Sequence, residues 1–254
     1  MEKALSVNLN KIALIRNSRE GNYPDVATHA KVCIDNGANG ITIHPRPDQR
    51  HIRPQDARDL KKLLSTPDTN GIELNIEGNP FAGAKGSYPG LIELVEETCP
   101  DQCTLVPDSD SQLTSDHGFD LNQAGEKLQP IIEHIQSLGI RVSLFMDPEP
   151  AQIELAAAIG ADRIELYTGP YAAAWGTDRL DDIFEQHFRA AVIAQELGLG
   201  LNAGHDLNLE NLAKFATVPG LQEVSIGHAL TVDAITMGLG KAVQSYKSIL
   251  SDLT

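Results

Sequence analysis

Residues 139–169 read GIRVSLFMDPEPAQIELAAAIGADRIELYTG and contain one complete strand, helix and strand unit. The runs 141–146 and 163–167 are rich in strand-forming residues, and residues 149–161 carry apolar residues at helical spacing. Two strands joined by a helix pair in parallel through a right-handed crossover. This stretch therefore predicts a parallel sheet that is covered by helices.

The same unit recurs along the whole chain. Strands are predicted at 5–9, 40–44, 72–76, 103–107, 141–146, 163–167, 199–203 and 223–227, and helical segments at 25–38, 54–65, 122–139, 149–161 and 182–198. Eight such units in 254 residues match the number and length at which the sheet closes into a TIM (β/α)8 barrel. An open doubly wound sheet is the alternative, although no Gly-rich dinucleotide fingerprint follows a strand. We predict an α/β fold, with a single barrel domain over residues 1–254.

Composition excludes several classes of partner. Lys and Arg number 20 against 35 Asp and Glu, which gives a formal net charge of -15 and makes nucleic acid an unfavourable partner. The opening residues MEKALSVNLN lack the pattern of a signal peptide, and no run of about 18 apolar residues occurs. We therefore expect a cytoplasmic protein without a membrane partner. Cys33, Cys99 and Cys103 form no C-x-x-C pair, so we expect buried, reduced thiols and no structural zinc site.

Two long connections interrupt the repeat. Residues 10–23 lie between the first strand and its helix, and residues 78–90, GNPFAGAKGSYPG, follow the third strand. Long connections with little core material are commonly lids or binding loops. We expect both at the end of the barrel that carries the site.

Polar residues follow most of the predicted strands, where barrel enzymes place their active sites. One such residue alone is more often structural, and Glu165 could simply pair with Arg163 or Lys11. Ionisable groups from several strands on one rim cost desolvation energy that an inert scaffold avoids, so a functional site is favoured. The residues at these positions are Asn8, Asn10, Lys11, His44, Arg46, Asn75, Glu77, Asp147, Glu165, Thr168, Asn202, His205, Gly227 and His228.

Two features predict phosphate binding at this rim. Residues 225–238, SIGHALTVDAITMG, place Gly227 and His228 at the start of the last predicted helix, where free backbone N–H groups bind anions. Residues 40–54, GITIHPRPDQRHIRP, gather Arg46, Arg50, His51 and Arg53 in an otherwise acidic chain. A solvated turn is the plain alternative for this second cluster, but side chains of these types also bind phosphate. Substrates with phosphate at both ends of one pocket would fit.

The choice of reaction class is narrowed by the motifs that the strand ends lack. A Schiff-base lysine has only Lys11 or Lys85 as candidates, and no His-x-His follows the first strand as in binuclear metal hydrolases. A metal-dependent sugar-phosphate epimerase, with an ion on the two His and two Glu of the rim, stays an alternative. A non-catalytic phosphate-ligand sensor is a third class, and it would have no use for the two acids. General acid and base catalysis by His44, Glu77, Glu165 and His205 suits the repeated proton transfers of a condensation.

Eight motifs together resemble the pyridoxine 5'-phosphate synthase (PdxJ) family over about residues 5–250. They are SVNLNKIALIRNSR, GITIHPRPDQRHI, LNIEGNP, TLVPDSDSQLTSDHGFD, GIRVSLFMDPE, DRIELYTGPYA, GLGLNAGHDL and EVSIGHAL, in the order and spacing of that family. The resemblance implies a transferase that condenses 1-deoxy-D-xylulose 5-phosphate with 3-amino-2-oxopropyl phosphate. The products are pyridoxine 5'-phosphate, phosphate and water, and the family uses no metal or organic cofactor.

The resemblance also implies residue roles. His44 and Glu77 would accept protons, His205 would donate one, and Glu165 would stabilise a transition state. The binding residues match in two groups. Asn8, Arg19, the backbone at Asp206, Gly227 and His228 would hold the amino ketone phosphate, and Asn10, Lys11, Arg46, His51 and Thr114 the deoxyxylulose phosphate.

The resemblance also extends to assembly, although four residues of this chain differ from those of many family members. Family members form octamers built as tetramers of dimers, and the arginine that matches Arg19 enters the neighbouring subunit's site, so residues 10–23 are expected at an interface. Many members carry Asp and His where this chain has Asn10 and Lys11, Gly where it has Asp206, and His where it has Tyr167. The first two changes make the predicted pocket more positive.

Overall fold

The computed structural model describes residues 2–252, so residues 1, 253 and 254 of the predicted domain lie outside the described residues. Within that range eight strands and eleven α-helices follow one another along the chain. The strands are β1 (Ala4–Asn8), β2 (Gly40–Ile43), β3 (Glu73–Gly78), β4 (Gln102–Leu105), β5 (Arg141–Met146), β6 (Arg163–Tyr167), β7 (Gly200–Gly204) and β8 (Leu221–Ile226).

The eight strands close into a parallel barrel. Each strand pairs with its neighbour in sequence, and β1 pairs with β8 in a register that sets Val7 opposite Ile226. The predicted TIM barrel is confirmed, and the open doubly wound sheet is wrong. The carboxyl ends of all eight strands therefore meet at one rim.

The helices surround the barrel, and one 3-10 helix, Pro67–Thr69, precedes β3. They are α1 (Asn10–Asn17), α2 (Val26–Asp35), α3 (Pro54–Leu64), α4 (Leu91–Thr98), α5 (Leu121–Ser137), α6 (Pro150–Ala158), α7 (Gly169–Ala174), α8 (Leu180–Glu196), α9 (Leu212–Phe215), α10 (His228–Met237) and α11 (Leu239–Ser251). Along residues 2–252 none of these helices is both long and apolar enough to cross a bilayer.

Local sequence explains these elements. The strand β2 reads GITI and is buried throughout, as expected where helices cover one face of a parallel sheet and the barrel interior covers the other. The helix α2 begins after Asp25, whose side chain accepts the backbone N–H of Thr28 at 2.7 Å. It is followed by Gly37 at a φ of 103°, a conformation that glycine adopts without strain.

Three details of the sequence prediction need correction. Strand bounds shift by one or two residues, as in β8, which begins at Leu221 rather than at 223. The predicted last helix is two helices, α10 and α11. Cys99 is exposed, because it ends α4 in the left-handed conformation, whereas Cys33 and Cys103 are buried; all three are free thiols.

The stretch 10–23 is also less irregular than expected, since its first part is the helix α1. The helical periodicity is masked by Arg16, a fully buried arginine on the inner face of α1. Its guanidinium is paired with Asp56 of α3 and donates to the carbonyl of His51 at 2.9 Å. A charged residue on an apolar face breaks the pattern from which a helix is recognised.

The barrel interior is polar as well as apolar. At the amino ends of the strands Arg163 lies 3.7 Å from Glu223, and Arg141 pairs with Glu73. Higher up, Asn75 and Asn202 hydrogen-bond to barrel residues: Thr104 Oγ1 donates to Asn75 Oδ1 at 3.0 Å, and Asn202 Nδ2 donates to Gln102 at 3.2 Å. Gln102 Nε2 and Ser143 Oγ have no partner among the described residues. Asn75 and Asn202, which we had placed at the functional rim, are therefore interior residues.

Candidate active site

A cavity of about 370 Å³ opens at the carboxyl ends of the strands. It is lined by all but one of the residues to which the family resemblance gives a role, and these come from β1, α1, the segments after β2 and β4, β3, β6, the segment after β7 and the β8–α10 junction. They are Asn8, Asn10, Lys11, His44, Arg46, His51, Glu77, Thr114, Glu165, His205, Asp206, Gly227 and His228. The strand-end pattern thus converges on one space, as a barrel requires.

Two buried carboxyls form the floor of the cavity. Asn8 Nδ2 donates to Glu77 Oε2 at 3.4 Å, and His44 Nδ1 lies 3.8 Å from the same oxygen. Burial raises the pKa of Glu77 well above its ordinary value, and the charge of Glu165 adds to the shift. Burial, together with the charge of Glu223, raises the pKa of Glu165 to about 8. Glu165 therefore holds a proton at neutral pH, and burial favours the protonated form of Glu77 as well.

His44 stands beside this pair as a neutral imidazole. Burial lowers its pKa well below the ordinary value, and the positive charge of Arg46 adds to the effect. Its backbone N–H donates to Asn10 Oδ1 at 2.9 Å, which ties the end of β2 to the start of α1. An uncharged imidazole beside buried carboxyls is suited to accept a proton from a substrate.

The cationic cluster after β2 forms one wall. Arg46 pairs with the buried Asp108, and Arg50 donates to the carbonyl of Gln112 at 2.8 Å. Burial lowers the pKa of His51 to about 3, with Arg46 as the next cause. The backbone N–H of Ile52 donates to His51 Nδ1 at 2.9 Å, so the neutral ring carries its proton on Nε2. The wall thus offers guanidinium and imidazole donors to an anion.

A second wall is formed by the start of α10. Gly227 precedes the helix, and a Cβ at this position would lie 3.0 Å from both Cβ and the carbonyl oxygen of Asn8. The missing side chain therefore lets the helix start approach β1 closely. Free backbone N–H groups and the positive end of the helix dipole then face the cavity, which is a common arrangement for binding phosphate.

His205 lines the cavity from the segment after β7, and its side chain is partly exposed. Its Nδ1 is 2.9 Å from Asp206 Oδ2, and its Nε2 is 2.9 Å from Thr114 Oγ1. The ring of Tyr167 packs edge-on against it, with 5.2 Å between the ring centroids. This imidazole is more exposed than His44 and has hydrogen-bond partners on both ring nitrogens, so the two histidines differ in environment.

Comparison with known proteins agrees with this geometry. The family model described as pyridoxal phosphate biosynthesis protein PdxJ matches residues 5–252. The chain belongs to the PdxJ family. A pyridoxine 5'-phosphate synthase of Xanthomonas axonopodis pv. citri (strain 306) is 54% identical over 251 residues, covering 98% of this chain and 97% of the relative. That of Xylella fastidiosa (strain 9a5c) is 51% identical over 250 residues, covering 98% and 95%. The function of the chain therefore lies in vitamin B6 biosynthesis.

Solved structures support the fold. A mutant tryptophan synthase alpha-subunit from Pyrococcus furiosus superimposes with a TM-score of 0.60 at 14% identity, covering 100% of this chain and 99% of that one. At so low an identity the likeness concerns the barrel alone.

Some residues that the sequence indicated lie outside the cavity, one of them from the family resemblance and the others from the cationic cluster and the strand ends. Arg19 follows α1 and is exposed, and Arg53 donates to Asn17 at 2.8 Å instead of lining the cavity. Asp147 accepts the backbone N–H of Gly118 at 3.1 Å, and Thr168 donates to the carbonyl of Gly204 at 2.6 Å. The strand-end rule marked Asp147 and Thr168 correctly as rim residues, but both are used to fix loops.

A loop that was not one of the two long connections singled out in the sequence also lines the cavity. Residues 106–119 supply Val106, Leu113, Thr114 and Ser115, whereas the lining includes no residue of 78–90. The hydroxyl of Ser115 donates to Asp108 at 2.8 Å, so this loop is attached to the Arg46 pair. The missed signal is Asp108 itself, an acid directly after the fourth strand in TLVPD.

The structure also shows where the two candidate Schiff-base lysines lie and whether the described residues form a metal-binding group. Lys11 lines the cavity from α1, and Lys85 pairs with Asp110 at 2.9 Å on the surface. Across residues 2–252 no three His, Cys, Asp or Glu side chains are grouped so that they could hold a metal ion.

Proposed function

We propose that this chain is a pyridoxine 5'-phosphate synthase, a transferase whose single catalytic domain spans residues 1–254. It condenses 1-deoxy-D-xylulose 5-phosphate with 3-amino-2-oxopropyl phosphate to pyridoxine 5'-phosphate, phosphate and water. One observation carries the proposal: two candidate anion-binding segments line the same cavity as buried acids and a neutral imidazole. Two phosphorylated substrates would then meet with their reacting carbons above these groups.

The two walls would bind different substrates. Arg46 and His51, with Asn10, Lys11 and Thr114, hold the deoxyxylulose phosphate, because guanidinium and imidazole donors match phosphate oxygens. Gly227 and His228, with Asn8 and the backbone at Asp206, hold the amino ketone phosphate at the start of α10. Arg50, which lines the same wall as Arg46, adds positive charge there.

The proton transfers divide among the four remaining groups. His44 is a neutral imidazole and accepts a proton from the substrate as the imine forms. Glu77, whose pKa is raised by burial, ionises when the substrate's amine brings positive charge beside it, and the resulting carboxylate then accepts a proton from the substrate. Glu165 ionises next to a developing cation and so stabilises the transition state. His205 donates a proton to a leaving oxygen.

Assembly would complete the site. We propose an octamer made as a tetramer of dimers, in which Arg19 enters the cavity of the neighbouring subunit. The exposed Arg19 and the half-exposed Ile15 of α1 support this arrangement, because an exposed apolar side chain and an exposed arginine lie close together in the chain there.

The direct test mixes the purified protein with both phosphorylated substrates in chelator-treated buffer. We expect pyridoxine 5'-phosphate and inorganic phosphate to appear in equal amounts, with neither formed when one substrate is omitted. Turnover that requires an added divalent ion would instead favour the epimerase class, and binding of both substrates without any product would favour the sensor.

A further inference from the structure

We infer that Asp206 is a positioning residue for His205, whose imidazole it fixes in one orientation and one tautomer toward the cavity. The inference rests on the proposed role of His205 as a proton donor. The observation behind it is a continuous chain of three groups: Asp206 Oδ2 lies 2.9 Å from His205 Nδ1, and His205 Nε2 lies 2.9 Å from Thr114 Oγ1.

The carboxylate decides where the ring carries its proton. An ionised carboxylate only accepts hydrogen bonds, so Nδ1 of His205 must be the protonated nitrogen in the neutral ring. The nitrogen that faces Thr114 and the cavity is then Nε2, which carries a proton only in the imidazolium form. The arrangement presents one exchangeable proton to the substrate side.

The backbone of this turn is held without the Asp206 carboxylate. His205 and Asp206 have φ values of 87° and 61°, in a region where aspartate and asparagine are tolerated better than most residues. Thr168 donates its hydroxyl to the carbonyl of His205, and Asn211 Nδ2 donates to the carbonyl of Asp206 at 3.2 Å. A change of the Asp206 side chain should therefore alter the imidazole more than the fold.

Charged and titratable groups from several elements surround the pair. The hydrogen bond with His205 is the largest cause that lowers the pKa of Asp206, and His228 of α10 and Lys11 of α1 also lower it. Tyr167 of β6 packs against the imidazole; burial raises the pKa of its phenol, and the charge of Asp206 is the next cause, followed by Asp116 and Asp147. At neutral pH the phenol is uncharged, so Asp206 is the negative group in contact with the ring.

The decisive experiment compares Asp206→Asn with wild type by nitrogen NMR of histidine-labelled protein. The signals of His205 are identified by their absence in His205→Gln. In wild type at alkaline pH we expect the tautomer with the proton on Nδ1. In Asp206→Asn we expect a mixture of tautomers, because the amide can donate as well as accept.

Kinetics supply the second readout. In Asp206→Asn we expect kcat to fall about tenfold to a hundredfold, as for other residues that orient a functional histidine, while KM for both substrates changes less than about threefold. In the His205→Gln background the Asp206→Asn change should cost nothing further.

A matched control is Glu96→Gln, which breaks another carboxylate–imidazole contact, His134 Nε2 to Glu96 at 2.6 Å, on the outer helices. This variant should keep the wild-type kcat. The inference is overturned if Asp206→Asn leaves the tautomer unchanged, or if its loss of kcat adds fully to that of His205→Gln. Wild-type protein that makes no pyridoxine 5'-phosphate would overturn the proposed function instead, and the tautomer measurement would still decide this inference.

Discussion

Acidic residues have different partners at the two ends of the barrel interior. At the amino end, Arg163 lies 3.7 Å from Glu223 and Arg141 pairs with Glu73. At the carboxyl end, Glu77 contacts an asparagine amide and a neutral imidazole, while Arg46 is paired with Asp108. At the amino end the acids are paired with arginines of the same chain, whereas at the carboxyl end Glu77 contacts neutral groups.

The difference shows in the carboxyl groups themselves. Burial raises the pKa of Glu223, but Arg163 opposes the shift as the second cause. For Glu165 burial is followed by the charge of Glu223, and its pKa reaches about 8. Isolated buried acids destabilise a fold, so a barrel that keeps them at its catalytic end is retaining them for chemistry rather than for stability.

The largest expected effect follows from removing a proton acceptor at the open end. Glu77→Gln keeps the shape of the side chain but cannot take a proton, so kcat should fall at least about a hundredfold. Steady-state assays with both substrates measure this loss. The control is Glu185→Gln, an exposed acid that pairs with Arg189 at 2.8 Å on α8, and it should be neutral. Retained turnover in Glu77→Gln would remove the distinction between the two ends.

The second prediction concerns charge supplied to the open end by another chain. Arg19→Ala alone should lower turnover at least about tenfold, since it removes a charge-assisted contact to phosphate. If Arg19 acts in the neighbouring site, coexpression of Arg19→Ala with Glu77→Gln restores activity in sites that receive Arg19 from the Glu77→Gln chain. About a quarter of the sites should recover in randomly mixed symmetric dimers. No recovery in purified mixed oligomers would place Arg19 in its own subunit's site or outside any.

The strand β7 offers a matched pair of glycines, one at each end of the barrel. A Cβ at Gly204 would collide with Oε1 of the buried Glu165, whereas a Cβ at Gly200 would meet the flexible side chains of Arg163 and Gln222. Gly204→Ala should therefore displace Glu165 and lower kcat about tenfold, with most of the fold retained. Gly200→Ala should leave kcat unchanged and alter only the melting temperature. Equal kinetic effects of the two changes would contradict the comparison.

The fold was largely predictable because its signals are local and repeated. Eight strand and helix units can be read from periodicity, and closure follows from their number. The helix α1 was missed because its inner face carries Arg16, whose partner Asp56 is forty residues away in the chain. Such a pair satisfies a buried charge through tertiary contacts, and sequence periodicity contains no trace of it.

The candidate site was predictable to the level of the rim but not of the individual contact. Strand-end positions and the family resemblance together gave the residues that line the cavity, yet the strand-end rule alone also selected Asn75 and Asn202, which point into the barrel. The strand-end rule did not select Asp108, because an acidic residue after a strand is interpreted as a turn residue when its arginine partner is not known. Whether a strand-end residue faces the cavity depends on side-chain alternation, and a register error of one residue reverses it.

The smallest expected effect is on stability. The pH dependence of that effect distinguishes the two ends of the barrel. The pKa of Glu165 is about 8 in the folded chain, whereas in the unfolded chain it has its ordinary value of 4.5. Unfolding therefore releases a proton between these pH values, so the favourable contribution of the protonated acid is present at low pH and is lost as pH rises through about 8. Glu165→Gln has no such titration. Its melting temperature should match that of wild type near pH 5 and exceed it increasingly toward pH 8.5, by about 2 to 4 °C for each kcal/mol.

The comparison of Glu165→Gln with Glu185→Gln isolates this effect from the net charge of -15, because each variant removes one acidic side chain. Calorimetry over the same pH range should show a difference that grows with pH for the buried position and stays flat for the exposed one. Since Glu77 and Glu165 repel each other when ionised, the midpoint of the growth reports the pair rather than one residue. A pH-independent difference at Glu165 would mean that the acid is already ionised in the folded chain. The open end of the barrel would then carry a charge that this structure leaves unbalanced.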